Sequence, residues 1–462
     1  MHSVNFLSPF LTGVLAVLTI FFGVFLKERI AKTFSIIISI LGILLAFLPL
    51  KNAFDFASAV QSFPFALIMG GVYQVIIAFI AITSIIIIAN DRRLQVSRFE
   101  TYPMIALSFA GMLFAIFSEN MIGLYLGIEL TSIAGYIIAS LNRENAKSNE
   151  SAMKYFLIGA VSSCVMIYGL SLVYGFAGGN FELNQVEPTL LEQNKIGLII
   201  GFLMFFFGLF FKTTTFPFHF WASDVYSGMN SSSLSFISIA PKIMAFFVML
   251  KILLSKIAHI PNGISAFFDV ITILAGISML VGALGALRQN EIKKILAYSG
   301  IAHMGFVLSF FSVNFLPQFV LYYFIIYTFI NVGIFAVISA LSRNPEYKGK
   351  VENLSGLAKS NKFLAFAMAV FMFSSAGIPP LAGFFAKYAV LVQLIGGGKY
   401  LLAVVAVVAS IISSYYYLRI IKVMYFDEQT QAFALHSKEK IGFSIKFLIG
   451  LCIFANITFI FV

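Results

Sequence analysis

IGLIIGFLMFFFGLFFKTTTFPFHFW, residues 196–221, is an apolar run that ends in a lysine, three threonines and a proline. A membrane-crossing helix needs about 20 apolar residues, so Lys212 falls inside the span and not in its flank. Proline lacks a backbone N–H and collides with the preceding turn, which predicts a break at Pro217. Irregular backbone at membrane depth is tolerated only where protein or water lines it. SSAGIPPLAGFFAKY, residues 374–388, has the same ingredients, with Pro379-Pro380 and Lys387 inside an apolar run, 363–395, too long for one straight span.

Outward from these two stretches, apolar runs of spanning length fall near 5–26, 33–50, 64–89, 101–118, 120–141, 153–177, 196–216, 230–253, 267–287, 293–312, 317–341, 363–395, 400–424 and 441–461. The reading is an all-α polytopic membrane protein with about 14 transmembrane helices, of which the seventh and twelfth are broken. Composition agrees: 60% of the 462 residues are hydrophobic and 11% charged, which leaves no material for a soluble surface. The first run starts almost at the N-terminus with no basic segment before it, and is read as a retained span and not as a cleaved signal.

The net charge of +11 would point to nucleic acid in a soluble protein. Here Lys and Arg concentrate in short connections between runs, where they orient helices, so no nucleic-acid partner is expected. Lys27, Arg29, Arg92, Arg93, Arg143, Lys147, Lys293, Lys294, Lys348 and Lys350 lie in one alternating set of connections. The opposite set holds few: Lys51, Lys195, Lys251, Lys256 and Lys399, beside Glu182, Glu187 and Glu192. The positive-inside tendency makes the first set cytoplasmic and puts both termini on the periplasmic side. Cys164 and Cys452 lie inside apolar runs with no second ligand at metal spacing, so no metal site is expected. GGGKY at 396–400 lacks the first glycine and the Ser or Thr of a phosphate loop.

Lys154, Lys212, Lys242 and Lys387 remain inside spans, together with Glu129. An ionisable residue at a helix centre costs about 2.5–3.5 kcal/mol on insertion scales, so such a set asks for paired partners or a hydrated path. Lys154 begins the sixth run and has a plain alternative, snorkelling to the cytoplasmic interface. Glu129, midway along the fifth, has no charged neighbour within a turn and needs a partner from another helix. Lys212 is the natural candidate, as a static ion pair or as a tunable one. His219, past the break, and His303, in the tenth run, are either hydrogen-bonded core histidines or proton relays. Blocks of spans 4–8 and 9–13 each contain five helices with a break at the matching position, and an odd number reverses orientation, so they are predicted to be inverted repeats. The predicted divisions are 1–100, 101–258, 259–426 and 427–462.

The strings YLGIELTSIAGYIIASLNR, SAMKYFLIGAVSS, FKTTTFPFHFWASDVYSG, APKIMAF, IKKILAYSGIAHMGF and SSAGIPPLAGFFAKY resemble the subunit N family of antiporter-like membrane subunits in the proton-pumping NADH:quinone oxidoreductase, respiratory complex I. The resemblance covers roughly residues 100–425. It departs at MNSSSLSF, residues 229–236, where a proline-containing segment belongs. It implies fourteen helices in two inverted repeats, and a translocase subunit of the bacterial inner membrane without a redox centre of its own. NADH, FMN, iron-sulfur clusters and quinone would sit in partner subunits. The family's fifth-helix glutamate falls on Glu129 and its seventh-, eighth- and twelfth-helix lysines on Lys212, Lys242 and Lys387. Lys154, His219 and His303 are secondary positions. The implied partners are the other membrane-arm subunits, the lipid bilayer and protons; a cation/proton antiporter subunit is the alternative.

Overall fold

The computed structural model describes residues 2–47, 65–91, 99–142, 144–182, 193–254, 264–313, 317–343, 347–428 and 441–459. Lys51, Arg92, Arg93, Arg143, Glu187, Glu192 and Lys256, used above for sidedness, lie outside the described residues. Among the described residues the regular structure is helical, with two isolated bridges, Asn120 with Glu182 and Glu291 with Lys350. Among the described residues nine helical stretches are long and apolar enough to cross a membrane, and four shorter helices are apolar as well.

By contact the chain forms two compact units. The first takes residues 1–85, 96–213 and 240–267. It contains α1 (His2–Phe25), α2 (Glu28–Leu45), most of α3 (Phe65–Ala89), α4 (Thr101–Phe117), α5 (Met121–Ser140), α6 (Ala146–Phe176), α7 (Lys195–Thr213) and α10 (Ala240–Leu253). In a membrane, helices associate through close backbone approach at small residues. A Cβ on Gly127 of α5 would lie 2.5 Å from the Ala115 nitrogen of α4, and one on Gly208 of α7 would lie 2.6 Å from Met166 Cβ of α6. Hydroxyls seal the same seams: Ser162 Oγ donates to the Gly208 carbonyl at 2.7 Å and Thr131 Oγ1 to the Ser108 carbonyl at 3.3 Å. Asn120 and Asn145 cap α5 and α6 by accepting from the first-turn amides.

The second unit takes residues 86–95, 214–239 and 268–462. It contains α8 (Trp221–Gly228), α9 (Ser231–Ile237), nearly all of α11 (Ile264–Leu287), α12 (Ile292–Phe310), α13 (Pro317–Leu341), α14 (Leu357–Ser360), α15 (Lys362–Ala376), α16 (Ala382–Gly396), α17 (Tyr400–Phe426) and α18 (Phe443–Thr458). The division differs from the repeat boundary read from the sequence, because 214–239 packs with the second unit.

Both predicted breaks are present, between α7 and α8 and between α15 and α16. The backbone leaves α7 through Thr214 at φ +59, a left-handed conformation that a β-branched residue rarely adopts and that its surroundings must hold. A third interruption separates α9 from α10 at Ser238 and Ile239, where the sequence reading has one continuous run. Pro241 explains it: its missing N–H would have bonded the carbonyl of Ile237, the last residue of α9.

Candidate functional site: buried lysines at broken helices

Lys212 occupies the last turn of α7, where the helix dipole favours a cation, and is 3% exposed. Its ammonium donates to Ser132 Oγ and, at 3.4 Å, to Tyr136 Oη, both on α5. It also lies 4.8 Å from the centroid of the Phe211 ring and 5.4 Å from that of Tyr136. Tyr136 is held edge-on by Tyr155 at 4.8 Å, and Gly159 of α6 leaves the room its hydroxyl needs.

Glu129 lies on the same face of α5 as Ser132 and Tyr136, one and two turns earlier. Its carboxylate accepts a 2.6 Å hydrogen bond from Ser163 Oγ of α6. Among the described residues Glu129 and Lys212 make no direct ion pair, which corrects the expected contact. Hydroxyls fill the gap, because Ser132 and Tyr136 reach the ammonium first. The two charges remain close enough to act on each other through space.

Lys242 is in the first turn of α10 and 1% exposed, immediately after the Pro241 interruption. Lys154 is half-buried and pairs with the exposed Glu150 one turn back at 2.8 Å, the geometry of a side chain reaching for the interface. Lys251, predicted to lie in a connection, is instead in the last turn of α10 and turned inward. Its ammonium donates to the carbonyls of Ile116, at 3.0 Å, and Ser118. Those carbonyls end α4 and have no partner within that helix, so Lys251 caps it.

In the second unit α15 ends at Gly377, whose left-handed φ of +84 lets its own amide return to the carbonyls of Phe373 and Ser374 and that of Ile378 to Phe373. The Ala376 carbonyl is left over, and Lys387 Nζ of α16 donates to it at 3.0 Å. Lys387 is 7% exposed and lies 5.5 Å from the centroid of the Phe306 ring of α12. Across the Pro379-Pro380 break the Gly383 amide donates to Ser374 Oγ at 3.0 Å, and Ser374 donates to Asn456 of α18 at 2.8 Å.

The histidines differ. His303, one turn before Phe306 on α12, has Nδ1 2.7 Å from Tyr323 Oη and Nε2 3.3 Å from Tyr417 Oη. His219, after Pro217, is half-buried and sits between the rings of Phe216 and Phe220, 5.7 and 4.4 Å away. Among the described residues no three of His, Cys, Asp and Glu come together as a metal-binding group. Lys399 is ion-paired with Asp269 at 3.1 Å beyond the end of α16.

Sequence reasoning missed Ser132, Tyr136, Ser163, Tyr323, Tyr417 and the inward turn of Lys251. Only Pro241, one residue before Lys242, was a usable signal.

Residues 118–413 match the family of NADH:quinone oxidoreductase/Mrp antiporter transmembrane subunits. The chain belongs to this family. NADH-quinone oxidoreductase subunit N 1 of Rhizobium meliloti is 36% identical over 95% of the chain and 92% of its own length. NADH-quinone oxidoreductase subunit N of Paramagnetospirillum magneticum is 40% identical over 74% of the chain and 71% of its own length. A chain of respiratory complex I from Thermus thermophilus, solved with bound aureothin, superposes with a TM-score of 0.76. It is 25% identical, and the match covers 98% of this chain and 97% of that one.

Proposed function

We propose that the chain is a proton-translocating membrane-arm subunit of an NADH:quinone oxidoreductase. The observation that carries the reading is a buried lysine beside a helix break in each unit of a family member. Lys212 reaches hydroxyls on the helix that carries Glu129, and Lys387 reaches the free carbonyl of its own broken helix. A lysine can carry a proton and release it, and an ammonium in an apolar bundle is felt by every charge near it. Changing the charge balance around Glu129 and Lys212 therefore moves protons at Lys242 and, through the relay, at Lys387, with Lys154, His219 and His303 as secondary positions.

The chain acts as a translocase subunit without a redox centre, and NADH, FMN, iron-sulfur clusters and quinone belong to partner subunits. Moving one charge against 100 mV costs about 2.3 kcal/mol, so energy from electron transfer in those partners must reach this chain. The finer architecture belongs to the same proposal: fourteen spans, inverted repeats over spans 4–8 and 9–13, and a bacterial inner membrane with both termini periplasmic. Labelling of single cysteines in intact cells checks the orientation. Modification at position 182 with protection at 147 supports it, and the reverse overturns it.

The functional test is NADH-driven proton translocation by the purified intact complex in vesicles, with assembled complex quantified. Lys212→Ala and Lys387→Ala are each expected to abolish translocation in assembled complex. Normal translocation in both overturns the reading. The family also contains Mrp antiporter subunits; co-purification with cation-exchange partners in place of NADH- and quinone-binding subunits would favour that alternative.

A further inference from the structure

Four polar groups form an unbroken chain inside the second unit. Ser299 and His303 sit four residues apart on α12 and so share a face. Ser299 Oγ is hydrogen-bonded to Tyr417 Oη of α17, Tyr417 Oη to His303 Nε2, and His303 Nδ1 to Tyr323 Oη of α13. Tyr323 and Tyr417 are 2% and 1% exposed, so both side chains lie inside the bundle. A buried neutral histidine in one fixed tautomer needs only an acceptor at one nitrogen and a donor at the other. Here both ring nitrogens face phenol hydroxyls, and a hydroxyl both donates and accepts.

From this we infer that Ser299, Tyr417, His303 and Tyr323 are a switchable proton wire in which the two tyrosines are relay residues in their own right. The inference rests on the pump reading and deepens it. In one arrangement Nδ1–H donates to Tyr323, while Tyr417 donates to the bare Nε2 and accepts from Ser299. Tyr417 then gives its proton to Nε2 as it takes the Ser299 proton, and Nδ1 gives its proton to Tyr323 as Tyr323 releases its own hydroxyl proton to a water molecule inside the bundle. Ser299 regains a proton from water. One proton enters at Ser299, one leaves at Tyr323, and no member keeps a net charge. The ring ends as the other tautomer, and a half-turn of the imidazole, which exchanges its two nitrogens, together with rotation of the hydroxyls resets the wire. Passing a proton without a lasting charge avoids the cost of an ion in an apolar bundle.

The test uses the intact complex in vesicles, with assembly quantified, and the variants Tyr323→Phe, Tyr417→Phe and His303→Gln. The Phe variants keep the ring and lose only the hydroxyl. Glutamine keeps one donor and one acceptor but cannot exchange them. Each is expected to lower NADH-driven proton translocation roughly a hundredfold, the lower end of what a positioned proton-transfer group contributes. Wild-type translocation in the assembled Phe variants overturns the wire, and so does rescue by glutamine, which would make His303 a static hydrogen-bonding group. Should a Phe variant not assemble, His303→Gln decides alone. Lys212→Ala in the same series separates the two claims. Loss there with normal Phe and Gln variants removes the wire and leaves the pump reading, whereas normal translocation in both Lys212→Ala and Lys387→Ala removes the pump reading and the wire with it.

Discussion

Lys212 and Lys387 each lie next to a helix break, yet they are held by different means. Lys212 is bound by side chains: a serine and a tyrosine of a neighbouring helix take its protons, and a glutamate on that helix acts from farther off. Lys387 is bound by backbone, through the Ala376 carbonyl that exists as a free acceptor only because α15 stops there. The first arrangement is adjustable, since a hydroxyl or a charge can move. The second is fixed by the fold. A break can therefore open space for a proton carrier or supply its anchor, and the two should respond to mutation in different ways.

The largest effect is expected where the fold itself is the anchor. Gly377 has a left-handed φ, and a Cβ there would lie 3.0 Å from Lys387 Cδ. Gly377→Val should displace Lys387 and also strain the turn by about 1–2 kcal/mol. Translocation should fall to near the level of Lys387→Ala, and thermal unfolding of the purified complex should shift downward. A Gly377→Val complex that pumps and melts like wild type would remove the claim that the break anchors the lysine.

Next comes the adjustable side. Ser132→Ala combined with Tyr136→Phe removes both hydroxyl partners of Lys212 and leaves the packing in place. Hydrogen bonds to charged groups are worth about 1.5–3 kcal/mol, so roughly a tenfold loss of translocation rate is expected at near-normal assembly. Because the Glu129 field remains, the loss should stay short of that in Lys212→Ala, and equal losses would show that the hydroxyls and not the charge carry the function.

Lys251 should matter for structure more than for pumping. Lys251→Met leaves the carbonyls of Ile116 and Ser118 uncapped and should reduce assembled complex, while the translocation of what assembles stays near normal. Lys251→Arg should restore assembly, which immunodetection of the complex in membranes would measure. The smallest effect belongs to Lys154. Its pairing with an exposed glutamate is worth about 0–1 kcal/mol, so Lys154→Gln should alter the translocation rate less than twofold, and a complete loss would move Lys154 onto the main path.

Legibility followed the strength of each physical constraint. Lys212, Lys387 and their breaks were readable because a lysine and a proline in an apolar run are both costly and stand out. Pro241 carried the same signal next to Lys242, midway along the run 230–253, and went unread because that run has the length of one ordinary span. Lys251 was misread because it lies at the very end of a run, where sequence does not separate a lysine of the connection from one in the last turn that points into the bundle. Ser132, Tyr136, Tyr323 and Tyr417 were hidden for another reason: hydroxyls are common in membrane bundles, and only their distances to Lys212 and His303 distinguish them. The missing Glu129–Lys212 contact belongs to the same class, since a pairing of opposite charges could be read and the interposed hydroxyls could not.

The central claim is that these lysines move protons and do not merely hold positive charge in place. Lys212→Arg tests it most directly, because arginine keeps the charge and effectively never deprotonates. The measurement is NADH-driven proton translocation by assembled Lys212→Arg complex in vesicles, beside Lys212→Ala. The account expects full or near-full assembly with translocation as impaired as in the alanine variant. Arginine complex that assembles and translocates protons at the wild-type rate would contradict it and leave Lys212 a static partner of α5.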